Sequence, residues 1–155
     1  MRQLYDHFIK EMLATSFRIT NDWHRSEDIL QDAFLTTFQK IHQLKDDGKY
    51  GSWLKRIVVN NSLQNTRRQM KFEPVETDHL MTSEASDNYD NISMEVFDEA
   101  IRSLPDGCRQ VFCLYLVEGY KHREIGDLLH ISESTSKSQY RYALKLLRQQ
   151  LIMPS

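Results

Sequence analysis

The stretch REIGDLLHISESTSKSQYRYALKLLRQQL, Arg123–Leu151, decides the fold. Ile125, Leu128 and Leu129 fall on one side of a short helix that begins near Arg123. His130-Ile131-Ser132 makes a tight turn, and Ser132 is a good N-cap for the segment that follows. From Glu133 to Leu151 a longer helix turns Tyr140, Ala143, Leu144, Leu147 and Leu151 inward. Lys137, Ser138, Arg141, Lys145 and Arg148 share its opposite face. Gly126 sits where the two helices must approach closely, and its missing side chain permits this. Short helix, turn and long cationic helix make a helix-turn-helix pattern, whose outer face suits a major groove. A plain helical hairpin with a charged exterior has the same pattern.

Upstream, Phe97, Ala100, Ile101 and Leu104 predict a short amphipathic helix closed by Leu104-Pro105. Pro105 then opens a helix in which Val111, Phe112, Tyr115 and Leu116 are expected to be buried and which Gly119 stops. Before this block lies EPVETDHLMTSEASDNYDNISME, Glu73–Glu95, without a helical stripe and rich in Ser, Thr, Asp, Asn and Glu. It reads as an extended linker.

The first block is also helical. Leu4, Tyr5, Phe8, Ile9, Met12 and Leu13 recur at helical spacing, and Asn21-Asp22 marks a turn. Ser26 is the expected N-cap of the next helix, with Glu27 and Asp28 placed to suit its dipole. Leu30, Ala33, Phe34, Thr37, Phe38 and Ile41 are its apolar stripe. A polar loop, KDDGKYGS (Lys45–Ser52), leads to a third helix over about residues 52–71. The chain is thus expected to be all-α, with two small helical domains, 1–72 and 96–155, joined by an acidic linker, 73–95.

Composition narrows the function. Five Gly and three Pro in 155 residues disfavour a turn-rich β fold. No apolar run is long enough for a membrane span, and no secretory signal is visible, so a cytoplasmic protein without membrane insertion is expected. Cys108 and Cys113, five apart, read as reduced core thiols. The histidines show no metal-ligand spacing, so neither metal nor cofactor is expected. No nucleophile–base set or Gly-rich phosphate loop appears, which argues against an enzyme. The net charge of −2 hides an asymmetry: residues 1–72 hold 12 basic and 8 acidic side chains, 73–95 hold 7 acidic and no basic ones, and 96–155 hold 8 basic and 7 acidic.

On the third helix Trp53, Arg56, Asn60, Gln64, Arg67 and Lys71 fall within about 80° of arc. Cations neutralise phosphates, an aromatic ring stacks on unpaired bases, and amides read base edges. Lys45, Lys49 and Tyr50 in the preceding loop add to this set. The same pattern also describes a solvated face with Trp53 tucked into the core. The second helix presents Asp28, Gln31, Asp32 and Leu35, an acidic and partly apolar face that suits a basic partner protein. Helix-dipole placement accounts for Asp28 but not for Asp32 a turn later.

These residues resemble a known family. SEDILQDAF (Ser26–Phe34) looks like the polymerase-binding segment of sigma region 2, and GKYGSWLKRIVVNNSLQNTRR (Gly48–Arg68) like the segment that melts and reads the minus-ten promoter element. SLPDGCRQVFCLYLVEGYKHREIGDLLHISESTSKSQYRYALKLLRQQL (Ser103–Leu151) resembles sigma region 4. The chain therefore resembles the two-domain, extracytoplasmic-function sigma factors of bacterial RNA polymerase. The resemblance implies that Asp28, Gln31, Asp32, Phe34 and Leu35 meet the clamp helices of core polymerase. Asn60 then matches the pocket for a flipped-out base, and Trp53 with its preceding loop the strand-separating elements. Lys137, Ser138, Gln139, Arg141, Tyr142 and Lys145 face the minus-thirty-five duplex. The implied partners are core RNA polymerase, promoter DNA as duplex and as melted strand, and an anti-sigma factor.

The chain also departs from the pattern. It starts almost at Leu4, without the usual leader helix, so a shortened N-terminus is expected. Leu44 replaces a frequent aromatic, Lys121 a capping serine, and His130 the usual turn glycine, which predicts a left-handed histidine. The rival from another class is a helix-turn-helix repressor or activator that binds palindromic duplex without being a polymerase subunit; a helical adaptor is a third.

Overall fold

A computed structural model describes residues 2–66 and 93–152 of the chain. The chain divides into two compact units, Met1–Gln69 and Met70–Ser155. All regular structure among the described residues is helical, and none of these helices is long and apolar enough to cross a membrane.

The first unit holds α1 (Arg2–Thr20), α2 (Trp23–Gln39) and α3 (Tyr50–Thr66), each packed on the other two. α1 ends where Asn21 adopts φ 55°, a left-handed geometry that asparagine tolerates. Asp22 then caps α2, its Oδ1 accepting the Arg25 amide at 3.2 Å. α2 therefore starts at Trp23 rather than at the predicted cap, Ser26. Ser26 is fully buried instead; its hydroxyl donates to the Asp22 carbonyl at 2.8 Å and lies 3.0 Å from Thr20 Oγ1. A serine that reads as a cap is here a clasp between two helices, because Asp22 already satisfies the free amides of the first turn.

Met12, Leu30, Ala33, Leu54 and Val58 form the core of this unit, with Phe8, Ile9, Leu13, Phe34, Tyr50 and Ile57 packed against it. Between α1 and α3 the hydroxyls of Ser16 and Ser62 meet at 2.8 Å, fully buried. The pair satisfies both groups, and their small size lets the helices come close. Phe38 and Ile41, predicted to lie in the apolar stripe, are exposed. Thr37 takes the inward place in that turn, bonded to the Phe34 carbonyl at 2.8 Å and to Tyr50 OH at 3.0 Å. Phe38 is then a further 100° round the helix, and Ile41 lies past its end in a short 3-10 turn, Ile41–Gln43. A second such turn, Asp47–Lys49, leads directly into α3. α3 begins two residues before the predicted Ser52; its predicted extension to residue 71 lies outside the described residues, as does most of the predicted linker.

The second unit holds α4 (Met94–Arg102), α5 (Asp106–Phe112), α6 (His122–Leu129) and α7 (Glu133–Ile152). Ser93 caps α4 by accepting the Val96 amide at 3.3 Å. α5 runs on into a π-helical turn, Cys113–Val117, where the Glu118 amide reaches the Cys113 carbonyl at 3.0 Å. The wider turn shifts the helical phase. Val111, Phe112, Cys113 and Leu114 are buried, whereas Tyr115 and Leu116, expected inside, are exposed. Ala100, Ile101, Leu104, Cys108, Phe112, Cys113, Ala143 and Leu147 make the core. Both cysteines are buried thiols outside any disulfide, and Cys108 Sγ donates to the Pro105 carbonyl at 3.4 Å. The guanidinium of Arg109, buried in this unit, is held by Asp106 Oδ1 at 2.8 Å and the Leu104 carbonyl at 3.3 Å.

The junction of α6 and α7 follows the sequence reading. His130 adopts φ 57° and ψ 44°, and the Ile131 amide returns to the Gly126 carbonyl at 2.9 Å. Ser132 Oγ accepts the Thr135 amide at 2.9 Å and so caps α7. A Cβ built on Gly126 would stand 2.7 Å from the Ile131 carbonyl oxygen, which is backbone and has little room to move. Gly126→Ala is therefore expected to cost about 1–3 kcal/mol despite its better helix propensity. His130→Gly, which relieves the left-handed strain, is expected to gain up to about 1 kcal/mol. Urea unfolding followed by circular dichroism separates the two signs.

Candidate functional site

The hydrophobic packing decides which side chains are left for function. On α3, Leu54, Val58, Val59, Ser62 and Leu63 are buried, which turns Arg56, Asn60 and Gln64 outward to full exposure. Trp53 is half-buried at the edge of this face, and its ring meets that of Tyr50 edge-on, centroids 6.1 Å apart. Tyr50 is packed on the core and bonded to Thr37, so it braces the start of α3. Gly51 beside it leaves room for the Phe8 ring, 2.8 Å from where a Cβ would stand. Lys45 and Lys49 are exposed in the preceding loop, which Asp46 shapes by accepting the Gly48 amide at 2.9 Å. Arg67 and Lys71 lie outside the described residues. Two amides, one cation and an aromatic edge thus share one solvent-facing surface with two loop lysines close in sequence.

On α2, Asp28, Gln31, Asp32 and Leu35 are all exposed, Leu35 at 58%. Phe34 is packed against the core. Phe38, 67% exposed, falls on the same arc as Gln31 and Leu35. The α2 face is therefore more apolar than the sequence reading had it: two carboxylates flank a Leu35–Phe38 ridge. Helical periodicity could have found Phe38 only with the phase of α2 known.

On α7, Lys137, Arg141 and Lys145 are exposed, and Ser138 is half-buried with its hydroxyl donating to the Ser134 carbonyl at 3.1 Å. Lys137 Nζ lies 3.6 Å from Glu133 Oε1 one turn back. Tyr142 is half-buried against the core. Gln139 is a correction: it is 4% exposed, on the inward side of α7, so its side chain does not share the cationic face. The periodicity argument had already set it off that face, and only the family resemblance suggested it.

A cluster missed in the sequence joins α6 to α7. Ser136 is fully buried, and its Oγ lies 2.8 Å from His122 Nδ1. The His122 ring stacks on Tyr115 at 4.2 Å and meets Tyr140 edge-on at 5.7 Å. Burial first, then the positive charge of Lys137, holds His122 below the usual histidine range; Arg141 acts the same way and Glu133 opposes it. Burial, with Tyr115 adding to it, pushes the Tyr140 phenol up. No sequence signal marks this cluster, because the π turn that brings Tyr115 over His122 has none.

Comparison with known proteins agrees with this arrangement. Residues 4–72 match the family model Sigma-70 region 2, and residues 94–147 match Sigma-70, region 4. A probable RNA polymerase sigma factor, RfaY, of Xanthomonas campestris is 27% identical over 90% of this chain, which spans 37% of that longer protein. ECF RNA polymerase sigma factor SigM of Bacillus subtilis is 24% identical over 88% of this chain and 85% of its own length. ECF RNA polymerase sigma factor SigL of Mycobacterium tuberculosis is 29% identical over 96% and 86%. Among solved structures, the sigma factor RpoE of Bartonella quintana, crystallised with the anti-sigma factor NepR, shares the fold with a TM-score of 0.60 at 16% identity, over 99% of this chain and 98% of that one.

The His122 environment carries a pH signature. Its folded pKa lies below the ordinary histidine value of 6.5, so the unfolded chain binds the proton more readily. The stability contributed by the neutral ring is full above that value and is lost as the pH falls through the folded one. The second unit is expected to lose thermal stability on acidification, and His122→Gln to lessen that loss. Melting curves of the two chains at matched pH values measure the difference.

Proposed function

The chain belongs to the sigma-70 family, in its two-domain extracytoplasmic-function form, and from that premise we propose how its exposed faces divide the work of initiation. It is a sigma factor, which binds core RNA polymerase for transcription initiation and is not itself an enzyme. Region 2 falls to residues 1–72, an acidic connector to 73–95 and region 4 to 96–155.

In this proposal the α2 face, Asp28, Gln31, Asp32, Leu35 and Phe38, docks on a basic and apolar surface of core polymerase. Opposite charges steer and register the encounter, and the Leu35–Phe38 ridge supplies the area that is desolvated. Phe34 supports this face from within the core. The α7 face, Lys137, Ser138, Arg141 and Lys145, then lies along the duplex of the minus-thirty-five element. Lysines and arginines neutralise phosphates there, and Arg141 and Ser138 are placed to read base edges. Tyr142 supports the helix. Region 2 finally captures the opened minus-ten strand on the α3 face. Asn60 and Gln64 offer amide donors and acceptors to an unpaired base, Trp53 with Tyr50 behind it offers a stacking edge, and Arg56, Lys45 and Lys49 follow the backbone. Arg67 and Lys71 would extend that track. Unstacking a base costs a few kcal/mol, which stacking and hydrogen bonding offset. An anti-sigma factor that covers these faces belongs to the same proposal; such a partner is seen with RpoE. The acidic connector is suited to a basic channel of polymerase.

One observation carries the reading: on α3 the apolar residues are buried on one side while Arg56, Asn60 and Gln64 are exposed on the other.

The test is run-off transcription on a pool of genomic promoter fragments with bacterial core polymerase, with and without the chain. Discrete new transcripts are expected. Asp32→Arg is expected to weaken binding to core polymerase about tenfold or more, which corresponds to about 1.4 kcal/mol. Asn60→Ala is expected to retain that binding and lose open-complex formation, read by permanganate reactivity of the melted strand. No transcript, together with a palindromic footprint made by the chain alone, would replace this reading with that of an independent repressor. For region 4, Lys137→Ala and Arg141→Ala should each lower duplex affinity and reduce its salt dependence by about one unit of log–log slope. Fluorescence anisotropy over a salt series measures both.

A further inference from the structure

His122 has no part in the division of labour above, yet it stands beside the duplex-facing side chains. Its half-buried ring lies between α6 and α7, with Nδ1 2.8 Å from Ser136 Oγ. The ring stacks on Tyr115 of the π turn, with planes 12° apart, and meets Tyr140 of α7 at 61°. Burial is the largest influence against the imidazolium form, followed by the charge of Lys137; Arg141 acts the same way and Glu133 favours the charged ring, all three from α7. Lys121 and Arg123, its exposed chain neighbours, add positive charge nearby. Burial pushes the Tyr140 phenol up, away from the range in which an imidazole titrates.

A DNA phosphate counters the part of this balance that is due to charge. It comes to rest where Lys137 and Arg141 can pair with it, so their repulsion of a proton on His122 is offset and the phosphate's own charge attracts one. The imidazolium form carries an N–H on both ring nitrogens, and the Ser136 hydroxyl, which can accept as well as donate, suits that form too. The proton comes from solvent and returns to it on release, so no other reactant is required.

We infer that docking of duplex DNA on the α7 face is coupled through His122 to the uptake of a proton, so that the grip of region 4 tightens as the pH falls. This rests on the reading of α7 as the duplex-facing helix. His122 is a positioning residue here: it acts through the charge it adds beside Lys137 and Arg141. Uptake of one proton limits the effect to about tenfold in affinity per pH unit.

The full chain is titrated with a fluorescent, mixed-sequence DNA duplex at low salt, between about pH 7.5 and 5.5, the range in which histidine changes charge. The ring protons of His122 are followed by NMR with and without the duplex. The expected result is an affinity that rises severalfold per unit of falling pH and a His122 pKa that moves up when duplex is added. His122→Asn, which keeps a polar atom near the Nδ1 position, should flatten the slope. His130→Gln, at the exposed histidine of the turn, should leave it intact. The NMR titration reads the unaltered chain, so it decides the matter even where His122→Asn folds poorly. A His122 pKa that duplex leaves unchanged or lowers, while Lys137→Ala still weakens binding, overturns the coupling and leaves the α7 reading standing. Binding that neither Lys137→Ala nor Arg141→Ala weakens overturns the α7 reading and this inference with it.

Discussion

Short helices are marginal in water, because nucleating each one costs more than its own hydrogen bonds return. α5, with seven residues, and α6, with eight, persist here only because each buries an apolar stripe against α7. The same constraint governs α1, α2 and α3, which share a single core. Once Leu54, Val58 and Leu63 are committed inward, Arg56, Asn60 and Gln64 have no freedom to be anywhere but outside. The functional faces are thus the complement of the cores, and their rigidity is inherited from them.

Polar groups inside the units refine this arrangement. The Ser16–Ser62 and Thr20–Ser26 hydroxyl pairs tie α1 to α3 and to the start of α2. In each pair one hydroxyl donates and the other accepts, so burial costs less and the helices gain a defined register. In the second unit His122 and Ser136 make the equivalent tie between α6 and α7. That tie differs in kind, since one member is an imidazole that can take up a proton, held below the usual histidine range by its burial. It is the point at which the geometry of the helix-turn-helix and its electrostatics meet.

The three faces differ in chemistry because their tasks differ. In the proposed division of work an acidic and apolar helix face suits protein, a cationic face suits intact duplex, and an amide–aromatic face suits bases that have left the stack. The overall charge of −2 would argue against nucleic acid if it were read as a sum. Charge acts over roughly a Debye length, about 8 Å under physiological salt, so its local arrangement decides which partner is attracted.

Much of this was legible in the chain alone. The all-helical class, the helix-turn-helix, the Ser132 cap and the outward set on α3 follow from residue periodicity and from local turn chemistry, both encoded within a few residues of each position; the left-handed His130 followed from the family resemblance, which has a glycine there. The places where the reading failed are those where a distant contact chose between local options. Asp22 displaced Ser26 as the cap because Ser26 had a partner in Thr20. Thr37 took the inward place from Phe38 because Tyr50, thirteen residues on, supplied its hydrogen bond. The π turn exposed Tyr115 and Leu116 by shifting the helical phase in mid-helix, a shift that a constant period of 100° per residue does not represent. Local sequence determined which residues could be helical and which faces could be charged. The tertiary structure decided the phase of each face and brought His122 under Tyr115 and beside Lys137, because phase and proximity depend on contacts between segments that no local pattern records.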